Sequence, residues 1–421
     1  MPGAQHPSHV YPLGSRLNEA GRLEVGGCDV VELAAEFGTP AYVVAPDDIR
    51  ARARAIVRAY GAATPACDVV FASKAFPCTA VYRLLAQEGL GCDVASGGEL
   101  AMALRGGFSP ERIHLHGNAK TREELAHALD VGIGHVIADN TRDLDVLEEL
   151  LAERPGQVQS ILLRIAPGIS PATHPSISTG GPNTKFGFSL HDAPAAIARA
   201  QDSDRLHVEG LHFHIGSQLM DNAPYQAALE AIAGLGSFPA VNLGGGLGVA
   251  YVEADRPPSI EDYVAAKVRA VHDVLGPSVR IVDEPGRALV ANAGVTLYTV
   301  QSVKHNVDTW VAVDGGMSDN LRPMLYGAVY EAEIADRFGG GTRCNVAGKH
   351  CESGDVLVRD ADLDDPRPGD ILVTPVTGAY GHAMANTYNG AQRPPVVFAS
   401  GGDARLVVRR ETHEDLFTRD V

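Results

Sequence analysis

The feature that most constrains the fold is a regular alternation along the middle of the chain. From about Phe71 to Arg287, short apolar runs rich in β-branched residues are each followed by a segment with helical periodicity. Such alternation is typical of a parallel sheet covered by helices, and eight repeats suffice to close a (β/α)8 barrel. The sequence therefore predicts an α/β fold with a TIM-like barrel over residues 42–290. The eight runs are VVFASKA, CDVAS, IHLHGN, HVIADN, ILLRIAP, GLHFHIGS, VNLGGG and VRIVDEPGR.

Five segments between these runs have the apolar spacing of helices. Thr121 and Asp192 precede two of them, and both are residue types that favour the N-cap position. We therefore expect these two side chains to cap their helices. The five segments are 79–88, 122–130, 141–152, 193–200 and 260–275.

A second pattern begins after about Ala291, where strand-like runs are separated by Gly, Pro and Asp. This pattern predicts an all-β domain over residues 291–421. Residues 1–41 show no clear helical pattern up to Val30, and we expect them to join this β-rich domain as an edge segment. The runs are VTLYTVQSV, TWVAVDGG, GDVLVRD, GDILVTPV, PVVFAS and ARLVVRR.

Charge and cysteine usage exclude several classes of protein. The 35 Lys and Arg residues against 52 Asp and Glu give a net charge of −17, which argues against nucleic acid or an anionic membrane as partner. The six cysteines form no C-x-x-C pair, so we expect no metal site and no disulfide framework. The chain starts without a signal-peptide pattern, and no apolar run is long enough to span a bilayer. We expect a cytoplasmic protein that acts on a small molecule.

Polar residues gather where the predicted barrel strands end. In a barrel of this kind, the loops that follow the strands form the mouth, and catalytic groups lie there. The sequence therefore predicts an active site at this end of the barrel. The residues concerned are Lys74, Asp93, Ser96, Asn118, His214, Ser217, Gly244, Gly245, Gly246, Glu284 and Arg287.

Lys74 and the triple-glycine string each allow two interpretations. Lys74 stands among small and apolar residues in FASKAF, where burial lowers the pKa of an ammonium and frees the amine for Schiff-base chemistry. A strand-end lysine that reaches solvent is the more common case. In NLGGGLG, three residues without Cβ let backbone N–H groups approach a phosphate, although a tight turn after the strand explains them equally well.

Glu284 and His214 fit one kind of cofactor. At a strand end, the carboxylate of Glu284 is placed to keep a pyridine nitrogen protonated, which makes the ring an electron sink. His212 and His214 share one strand face, so one of them is placed to lie flat against such a ring. A surface ion pair and a packed core histidine are the alternatives.

Two loops of the β-rich domain also carry reactive groups. GKHCESGD places Cys351 and Glu352 between strands, and a thiol with its ordinary pKa of about 8.5 is protonated at neutral pH and can act as an acid. TGAYGHAMANTYNG suggests a loop that faces a phosphate, with Tyr380 as a hydroxyl donor. A buried small thiol and a packed tyrosine are the alternatives.

Ten strings follow one another in a defined order. They are ASKAF, CDVASGGEL, HGNAK, HPSISTGGPNTKFGF, HFHIGSQ, NLGGGLG, EPGR, DGGMSDNLRPMLYG, GKHCESGD and GAYGHAMANTYN. In these strings, from about Gly38 to Arg410, the chain resembles the fold-type III pyridoxal-phosphate decarboxylases and, among them, the diaminopimelate decarboxylase family. The resemblance implies pyridoxal 5′-phosphate as cofactor and decarboxylation of meso-2,6-diaminopimelate to L-lysine, the last step of lysine biosynthesis.

The resemblance also assigns roles to residues. It implies that Lys74 binds the cofactor covalently, that His214 stacks on its ring, and that Glu284 pairs with its nitrogen. It implies that Cys351 is the proton donor, and that the enzyme is a homodimer in which Cys351 and Glu352 act in the partner's site. The further cofactor-binding residues implied are Asp93, Ser217, Gly244, Gly245, Gly246, Gly286, Arg287 and Tyr380. The substrate-binding residues implied are Arg287, Arg322, Tyr326, Glu352 and Tyr380.

Two further features stand beside these assignments. The long segment 168–185 is a candidate lid that excludes water. After GAYG the family often has Phe-Ser, whereas this chain has His382 and Ala383.

Other functions remain open from the sequence alone. A decarboxylase of the same fold that acts on ornithine, lysine or arginine is the nearest alternative, but Glu352 and a second arginine without an anion to meet argue against it. Alanine racemases hold the pyridine nitrogen with Arg, where this chain has Glu284. A catalytically silent binding homologue and a cofactor-free Schiff-base aldolase are further alternatives; Lys74 with Cys351 argues against the first, and NLGGGLG against the second.

Overall fold

The computed structural model describes residues 7–169, 180–181 and 183–421, and these belong to two compact units. The first unit comprises Met1–Ala51, Val249–Arg256 and Leu289–Val421. The second comprises Arg52–Gly248 and Pro257–Ala288. Most of the segment 168–185, the predicted lid, lies outside the described residues.

The second unit is built on a closed barrel of eight parallel strands. Each strand pairs with its neighbours, and Gln159–Ala166 closes the ring because it pairs with both His135–Ala138 and Leu206–His212. Each of the eight predicted runs overlaps one of these strands, so the predicted (β/α)8 barrel with a β-rich domain is confirmed. The strands are Cys67–Ala72, Gly91–Val94, Ile113–Leu115, His135–Ala138, Gln159–Ala166, Leu206–His212, Ala240–Asn242 and Arg280–Asp283. A short strand, Phe188–Ser189, adds to Gln159–Ala166.

Burial on both faces explains why the barrel strands read as unbroken apolar runs. Strands of a parallel barrel contact side chains inside the ring and helices outside it. In Cys67–Ala72, for example, the last four residues are all buried. The register then aligns the strand ends, because Ala72 pairs with Asp93 and His212 pairs with Asn242. Polar residues at these ends are thereby brought to one mouth.

One barrel strand is irregular. In Leu206–His212, Val208 lies opposite Ile161 and Gly210 lies opposite Leu162, so Glu209 is the extra residue of a β-bulge. Gly210 is required beside it, because a Cβ there would lie 2.0 Å from the carbonyl oxygen of Ala240. The bulge absorbs the extra residue, so that beyond it Leu211 and His212 lie opposite Leu163 and Arg164.

Helices follow the barrel strands as predicted. The five predicted helices are confirmed to within one or two residues, and Thr121 caps its helix in a capping box with Glu124. The expected cap at Asp192 is wrong, because that side chain accepts a hydrogen bond from Ser189 Oγ instead of from its helix. The helices of this unit are Thr79–Gln87, Gly97–Gly106, Arg122–Val131, Thr141–Ala152, Ala193–Gln201, Ala223–Ile232 and Ile260–Val274.

The first unit contains a mostly antiparallel sheet of nine strands. Seven of them follow one another across the sheet in the order Val356–Leu363, Thr342–Ala347, Thr309–Val313, Gly294–His305, Ala41–Val44, Val396–Ser400 and Asp403–Val408. Ile371–Thr374 pairs with Gly294–His305 and with Glu333–Ile334. The predicted runs of residues 291–421 all contribute strands.

The sequence predicts residues 1–41 as an edge segment of the β-rich domain, but the described residues before Ala41 do not form an edge strand of the nine-stranded sheet. They form a separate three-stranded sheet of Arg16–Leu17, Leu23–Val25 and Cys28–Asp29, followed by the helix Val30–Phe37. The short helices of this unit are Arg322–Tyr326, Gly381–Met384 and His413–Phe417. Two helices, Pro46–Ala63 and Arg287–Val290, run across the division of the chain. Among the described residues, no helix combines the length and apolarity needed to cross a bilayer.

Candidate active site

Glu284 lies at the centre of a buried polar cluster at the barrel mouth. It directly follows the strand Arg280–Asp283, and its Oε1 accepts a hydrogen bond of 2.6 Å from the side-chain amide of Asn242. His116 Nε2 lies 2.9 Å from the same oxygen, and His212 Nε2 lies 3.4 Å from Oε2. Burial by itself raises the pKa of this carboxyl, but the two histidines outweigh it and hold the pKa well below its usual range. Glu284 is therefore a buried, ionised acceptor.

Asp93 is a second buried carboxyl beside this cluster. Its Oδ1 lies 3.9 Å from His116 Nε2. Burial raises the pKa of Asp93 to about 6; Glu284 adds to this effect, while His116 and Lys74 oppose it. Because the two carboxyls have pKa values displaced in opposite directions, the cluster holds one ionised group and one that exchanges a proton near neutral pH.

The two histidines of the strand face are neutral rings. Burial lowers the pKa of His212 to about 3, although Glu284 opposes it. Burial also holds the pKa of His214 well below its usual value, and the charges of Lys74 and Arg164 add to this. A neutral imidazole is a flat ring of low charge, which suits contact with the face of an aromatic cofactor.

Lys74 lies in a one-turn helix, Ser73–Ala75, just past the strand Cys67–Ala72. Its neighbour Ser73 donates a hydrogen bond of 2.6 Å to Glu99 Oε2, which fastens this turn to the first turn of the helix Gly97–Gly106. The burial expected for Lys74 is wrong: the flanking residues are buried, but the lysine side chain is exposed. The one-turn helix buries the side chains of Ser73 and Ala75 and exposes that of Lys74. Its charge nevertheless lowers the pKa of both Asp93 and His214, so the amine belongs to the same mouth.

The Gly244, Gly245 and Gly246 turn leaves no space for side chains. A Cβ on Gly245 would lie 2.1 Å from the carbonyl oxygen of Glu284, and one on Gly246 would lie 2.5 Å from Tyr225 Oη. Gly244 and Gly246 have φ values of +59° and +138°. Among the residues that the structure describes, the N–H groups of Gly245 and Gly246 have no hydrogen-bond acceptor. Successive free N–H groups of this kind form a site for an anion.

Arg287 lies buried near the ends of the same strands. It donates from Nη2 to Ser217 Oγ at 2.9 Å, and Nε lies 3.3 Å from that oxygen. The preceding Gly286 lets the chain pass close to the lysine turn, because a Cβ there would lie 3.0 Å from Cβ of Ala72 and 3.1 Å from Cβ of Ala75. The predicted anion-binding and lysine-bearing segments are thus neighbours.

These residues fit pyridoxal 5′-phosphate. An ionised, buried carboxylate suits a protonated pyridine nitrogen, an accessible amine suits an aldehyde, and a glycine turn with free N–H groups suits a phosphate. His116, His212 and Glu284 also offer three ligand atoms within 4.8 Å of one another. His212 Nε2 hydrogen-bonds to Glu284 Oε2 at 3.4 Å, and His116 Nε2 lies 2.9 Å from Oε1, so the three groups contact one another directly.

Arg322 is the main buried cation of the first unit. It lies in the short helix Arg322–Tyr326, and its guanidinium carbon lies 4.7 Å from the ring centroid of Tyr251 and 5.9 Å from that of Tyr380. Nη1 donates a hydrogen bond to Tyr330 Oη, while Nε is buried without a partner among the described residues. Burial lowers the pKa of Arg322, but the tyrosines outweigh it and raise the pKa further. A buried guanidinium with a spare donor is suited to an anionic ligand.

Cys351 and Glu352 are both exposed in the loop that begins after Ala347. The Cys351 amide donates to Asn389 Oδ1 at 3.2 Å, and His350 Nε2 lies 2.9 Å from Ser318 Oγ. Because Cys351 is exposed, the alternative of a small buried hydrophobe is wrong.

Asp355 connects this loop to the segment that leads to Arg322. Its carboxylate accepts hydrogen bonds from the amides of Met317 and His350, at 2.7 and 3.0 Å. Tyr326 is half-buried at the end of the Arg322 helix, and Tyr380 has a left-handed φ of +65° before the helix Gly381–Met384. Backbone hydrogen bonds to Asp355 thus hold the Cys351 loop against the segment before Arg322.

The structure places the predicted residues in two sets. The second unit carries Lys74, Asp93, His214, Ser217, Gly244, Gly245, Gly246, Glu284, Gly286 and Arg287. The first unit carries Arg322, Tyr326, Cys351, Glu352 and Tyr380. Asn242 and His116 are not among the predicted residues, although both stand at strand ends in the strings VNLGGG and IHLHGN.

Comparison with known proteins agrees with this geometry. Residues 47–291 match the family model described as pyridoxal-dependent decarboxylase, pyridoxal binding domain. A diaminopimelate decarboxylase of Actinosynnema pretiosum is 47% identical to the chain, with 98% of this chain and 95% of the relative covered. The diaminopimelate decarboxylase of Bacillus subtilis is 45% identical, with 97% of each covered.

A solved structure shows the same fold. The crystal structure of diaminopimelate decarboxylase from M. jannaschii in complex with L-lysine superposes with a TM-score of 0.90 at 35% identity. The match covers 97% of this chain and 97% of that one.

Proposed function

Because this chain belongs to the diaminopimelate decarboxylase family, we propose that it converts meso-2,6-diaminopimelate to L-lysine and carbon dioxide, as the last step of lysine biosynthesis. Pyridoxal 5′-phosphate is its cofactor. One observation in the structure supports this most strongly: the buried, ionised Glu284 stands beside a glycine turn with free N–H groups.

The residues of the barrel mouth hold the cofactor and keep its ring charged. Lys74 would hold the cofactor aldehyde through its side-chain amine. Glu284 would accept the N–H of the pyridine ring, and His214 would lie against the ring face. The residues that would hold the phosphate are Gly244, Gly245, Gly246, Ser217, Gly286, Arg287 and Tyr380, and Asp93 would lie beside the cofactor. When bound, the cofactor supplies the electron sink for the pair of electrons that the departing carboxylate leaves behind.

The loops of the first unit recognise the substrate and return its proton. Arg322, with its spare Nε donor, meets the distal carboxylate together with Arg287 and Tyr326. Glu352 meets the distal ammonium. Cys351 donates the proton that the α-carbon gains, which an exposed thiol on a fastened loop can do as a general acid.

The assembly and the domain limits are part of the same proposal. We assign the cofactor-binding barrel to residues 42–290 and the β-rich domain to residues 1–41 and 291–421. Two copies form a homodimer in the cytoplasm, and Cys351 and Glu352 of each copy serve the partner's site. Neither nucleic acid nor a membrane is a partner.

A decarboxylase of ornithine, lysine or arginine is the alternative. Those substrates have no distal carboxylate, so the buried guanidinium of Arg322 would have no anion to bind, and burying an unpaired charge is costly. The observation therefore favours diaminopimelate.

The test is release of carbon dioxide from meso-diaminopimelate by the purified protein, with and without added pyridoxal phosphate. L-ornithine, L-lysine and L-arginine are the comparison substrates, and Lys74→Ala is the inactive control. We expect release from diaminopimelate alone, dependent on the cofactor. Faster release from any of the other three, or release that Lys74→Ala retains, contradicts the proposal.

A further inference from the structure

A buried ion pair beneath the glycine turn has no role in the scheme above. Lys267, in the helix Ile260–Val274, and Asp283, the last residue of a barrel strand, both have fully buried side chains. Lys267 Nζ lies 2.5 Å from Asp283 Oδ1. Nζ also lies 4.2 and 4.5 Å from the ring centroids of Tyr225 and Tyr263. Burying a lysine and an aspartate is rarely worth more stability than an apolar pair of the same size, so this pair calls for another explanation.

The ion pair contacts the turn directly. Lys267 Nζ donates a hydrogen bond of 3.1 Å to the carbonyl oxygen of Gly244. The hydroxyl of Tyr225, whose ring covers the ammonium, donates one of 2.8 Å to the carbonyl oxygen of Gly245. Two successive carbonyls of the turn thus accept hydrogen bonds from one buried cluster, and that of Gly244 also accepts one of 3.1 Å from the Glu284 amide.

Holding these carbonyls determines where the free N–H groups point. A peptide unit is planar and trans, so its N–H points away from its C=O. The carbonyl of Gly244 shares a peptide unit with the N–H of Gly245, and the carbonyl of Gly245 shares one with the N–H of Gly246. With both carbonyls bound to Lys267 and Tyr225, both N–H groups point to the opposite side. Those are the two N–H groups that lack an acceptor among the described residues.

Glycine alone does not ensure this geometry. Residues without Cβ have many conformations open to them, and an unrestrained glycine turn loses much entropy on binding an anion. A second support comes from Asn242, whose Oδ1 accepts the N–H of Gly244 at 2.9 Å. The turn is therefore restrained on its carbonyl side before any ligand arrives.

We propose that Lys267, Asp283 and Tyr225 are positioning residues that preorganise the Gly244–Gly246 turn for the phosphate of the cofactor. This inference rests on the proposed function, since it takes the ligand of the turn to be the phosphate of pyridoxal phosphate. It assigns no catalytic step to the three residues.

The test separates the phosphate from the rest of the cofactor. The dissociation constants of pyridoxal phosphate and of pyridoxal, which lacks the phosphate, are measured by titrating the cofactor-free full-length protein. Tyr225→Phe removes one hydroxyl and keeps the ring. Lys267→Met/Asp283→Asn removes both charges together, so that neither is left unpaired. Tyr82→Phe is the matched control, because Tyr82 is equally buried and makes no hydrogen bond to the turn among the residues that the structure describes.

We expect Tyr225→Phe to weaken binding of pyridoxal phosphate about fivefold to tenfold, as loss of one hydrogen bond predicts. The double variant weakens it further. Binding of pyridoxal changes less than about twofold in both, and Tyr82→Phe changes neither constant.

Two results overturn the inference: unchanged affinity for pyridoxal phosphate in Tyr225→Phe, or equal weakening for both ligands. If the double variant fails to fold, as its melting curve shows, Tyr225→Phe decides alone. Failure of the wild-type protein to bind pyridoxal phosphate at all contradicts the proposed function itself, so the two failures are distinguishable.

Discussion

The carboxylate of Glu284 is buried and yet ionised because donors surround it on several sides. Burying a charge is costly unless hydrogen bonds replace the lost water. Asn242 supplies one such hydrogen bond at 2.6 Å and His212 another at 3.4 Å. A glutamine in the same place keeps the shape but cannot hold a pyridine nitrogen in its charged form.

Glu284→Gln tests whether the charge of this carboxylate is needed for activity. We expect kcat/KM for diaminopimelate to fall by roughly 100-fold or more, because the ring loses its protonating partner. Steady-state release of carbon dioxide at saturating cofactor measures it. The matched control is Glu149→Gln, the same change on an exposed side chain, which should leave activity unaltered. Wild-type activity in Glu284→Gln speaks against the assigned role.

Asp319 provides a pH test in the first unit. Burial raises the pKa of Asp319 to about 7, and the charges of Asp355 and Asp314 add to this, while hydrogen bonds from Tyr298 and the Gly316 amide oppose it. Between the ordinary value near 4 and pH 7, the folded protein therefore holds a proton that the unfolded chain releases. Stability contributed by this carboxyl is thus lost as the pH rises through that window, by at most about 4 kcal/mol.

The comparison is between wild type and Asp319→Asn in urea at pH 5 and pH 8. We expect the variant to gain stability relative to wild type on going from pH 5 to pH 8, because its amide never ionises. Asp420→Asn, at the exposed C-terminus, should show no such change. A difference between wild type and Asp319→Asn that is the same at both pH values would refute the buried titration.

At the scale of elements, the helix starts show how local signals depend on the surrounding chain. Thr121 and Asp192 are both N-cap residue types, but only Thr121 bonds to its helix. Asp192 has helical backbone angles and its carboxylate meets Ser189, so it cannot reach the free N–H groups of the first turn.

This difference predicts unequal effects of alanine at the two positions. Thr121→Ala loses the cap hydrogen bond that Thr121 Oγ1 accepts from the Glu124 amide and should lower the free energy of unfolding of the barrel unit by about 1 kcal/mol. Asp192→Ala should cost less than about 0.5 kcal/mol. Thermal melts followed by circular dichroism measure both, with activity at 25 °C unaffected. Equal losses of stability in the two variants would show that the cap hydrogen bond does not determine the effect of alanine.

At the scale of the whole molecule, the proposed dimer makes a prediction about mixtures. Lys74→Ala and Cys351→Ala are each expected to be inactive. If each site takes Lys74 from one copy and Cys351 from the other, a mixed dimer of the two variants has one intact site. Random exchange of subunits makes half of the dimers mixed, and activity should recover to about a quarter of wild type.

Recovery is measured after co-expression or after refolding the two variants together. The control is a mixture of Lys74→Ala with Lys74→Ala/Cys351→Ala, in which no dimer has an intact site. No recovery in the first mixture argues that each copy carries a complete site of its own.

The barrel and its mouth were predictable from the sequence because the signals are local. Strands covered on both faces read as apolar runs, and their polar ends converge by geometry. The sheet of the first unit was harder to predict from local signals. Ala41–Val44 pairs with Gly294–His305 and Val396–Ser400, partners far along the chain. Thr342–Ala347 alternates buried and more exposed residues, a weaker signal among polar side chains.

Within the site, residue type was predictable and environment was not. The acidic, glycine and lysine positions follow from the strings, but the exposure of Lys74 depends on how one turn projects from the strand end. The glycines that follow Asn242 gave the stronger sequence signal, so Asn242 itself was not predicted as a site residue. Its side chain nevertheless forms hydrogen bonds with both Glu284 and Gly244. Such bridging roles depend on contacts between strands that no local pattern encodes.

The extra residue at Glu209 has a consequence for His212, three positions further along. Between Val208 and His212 this strand advances four residues while its neighbour advances three, from Ile161 to Arg164, and the bulge absorbs the difference. Successive side chains of a regular strand point alternately inward and outward, so the same extra residue without a bulge would turn His212 toward the helices, away from Glu284. A further single-residue insertion between Gly210 and His212, held in regular strand geometry, would therefore dismantle the polar cluster although every residue named in the mouth is still present.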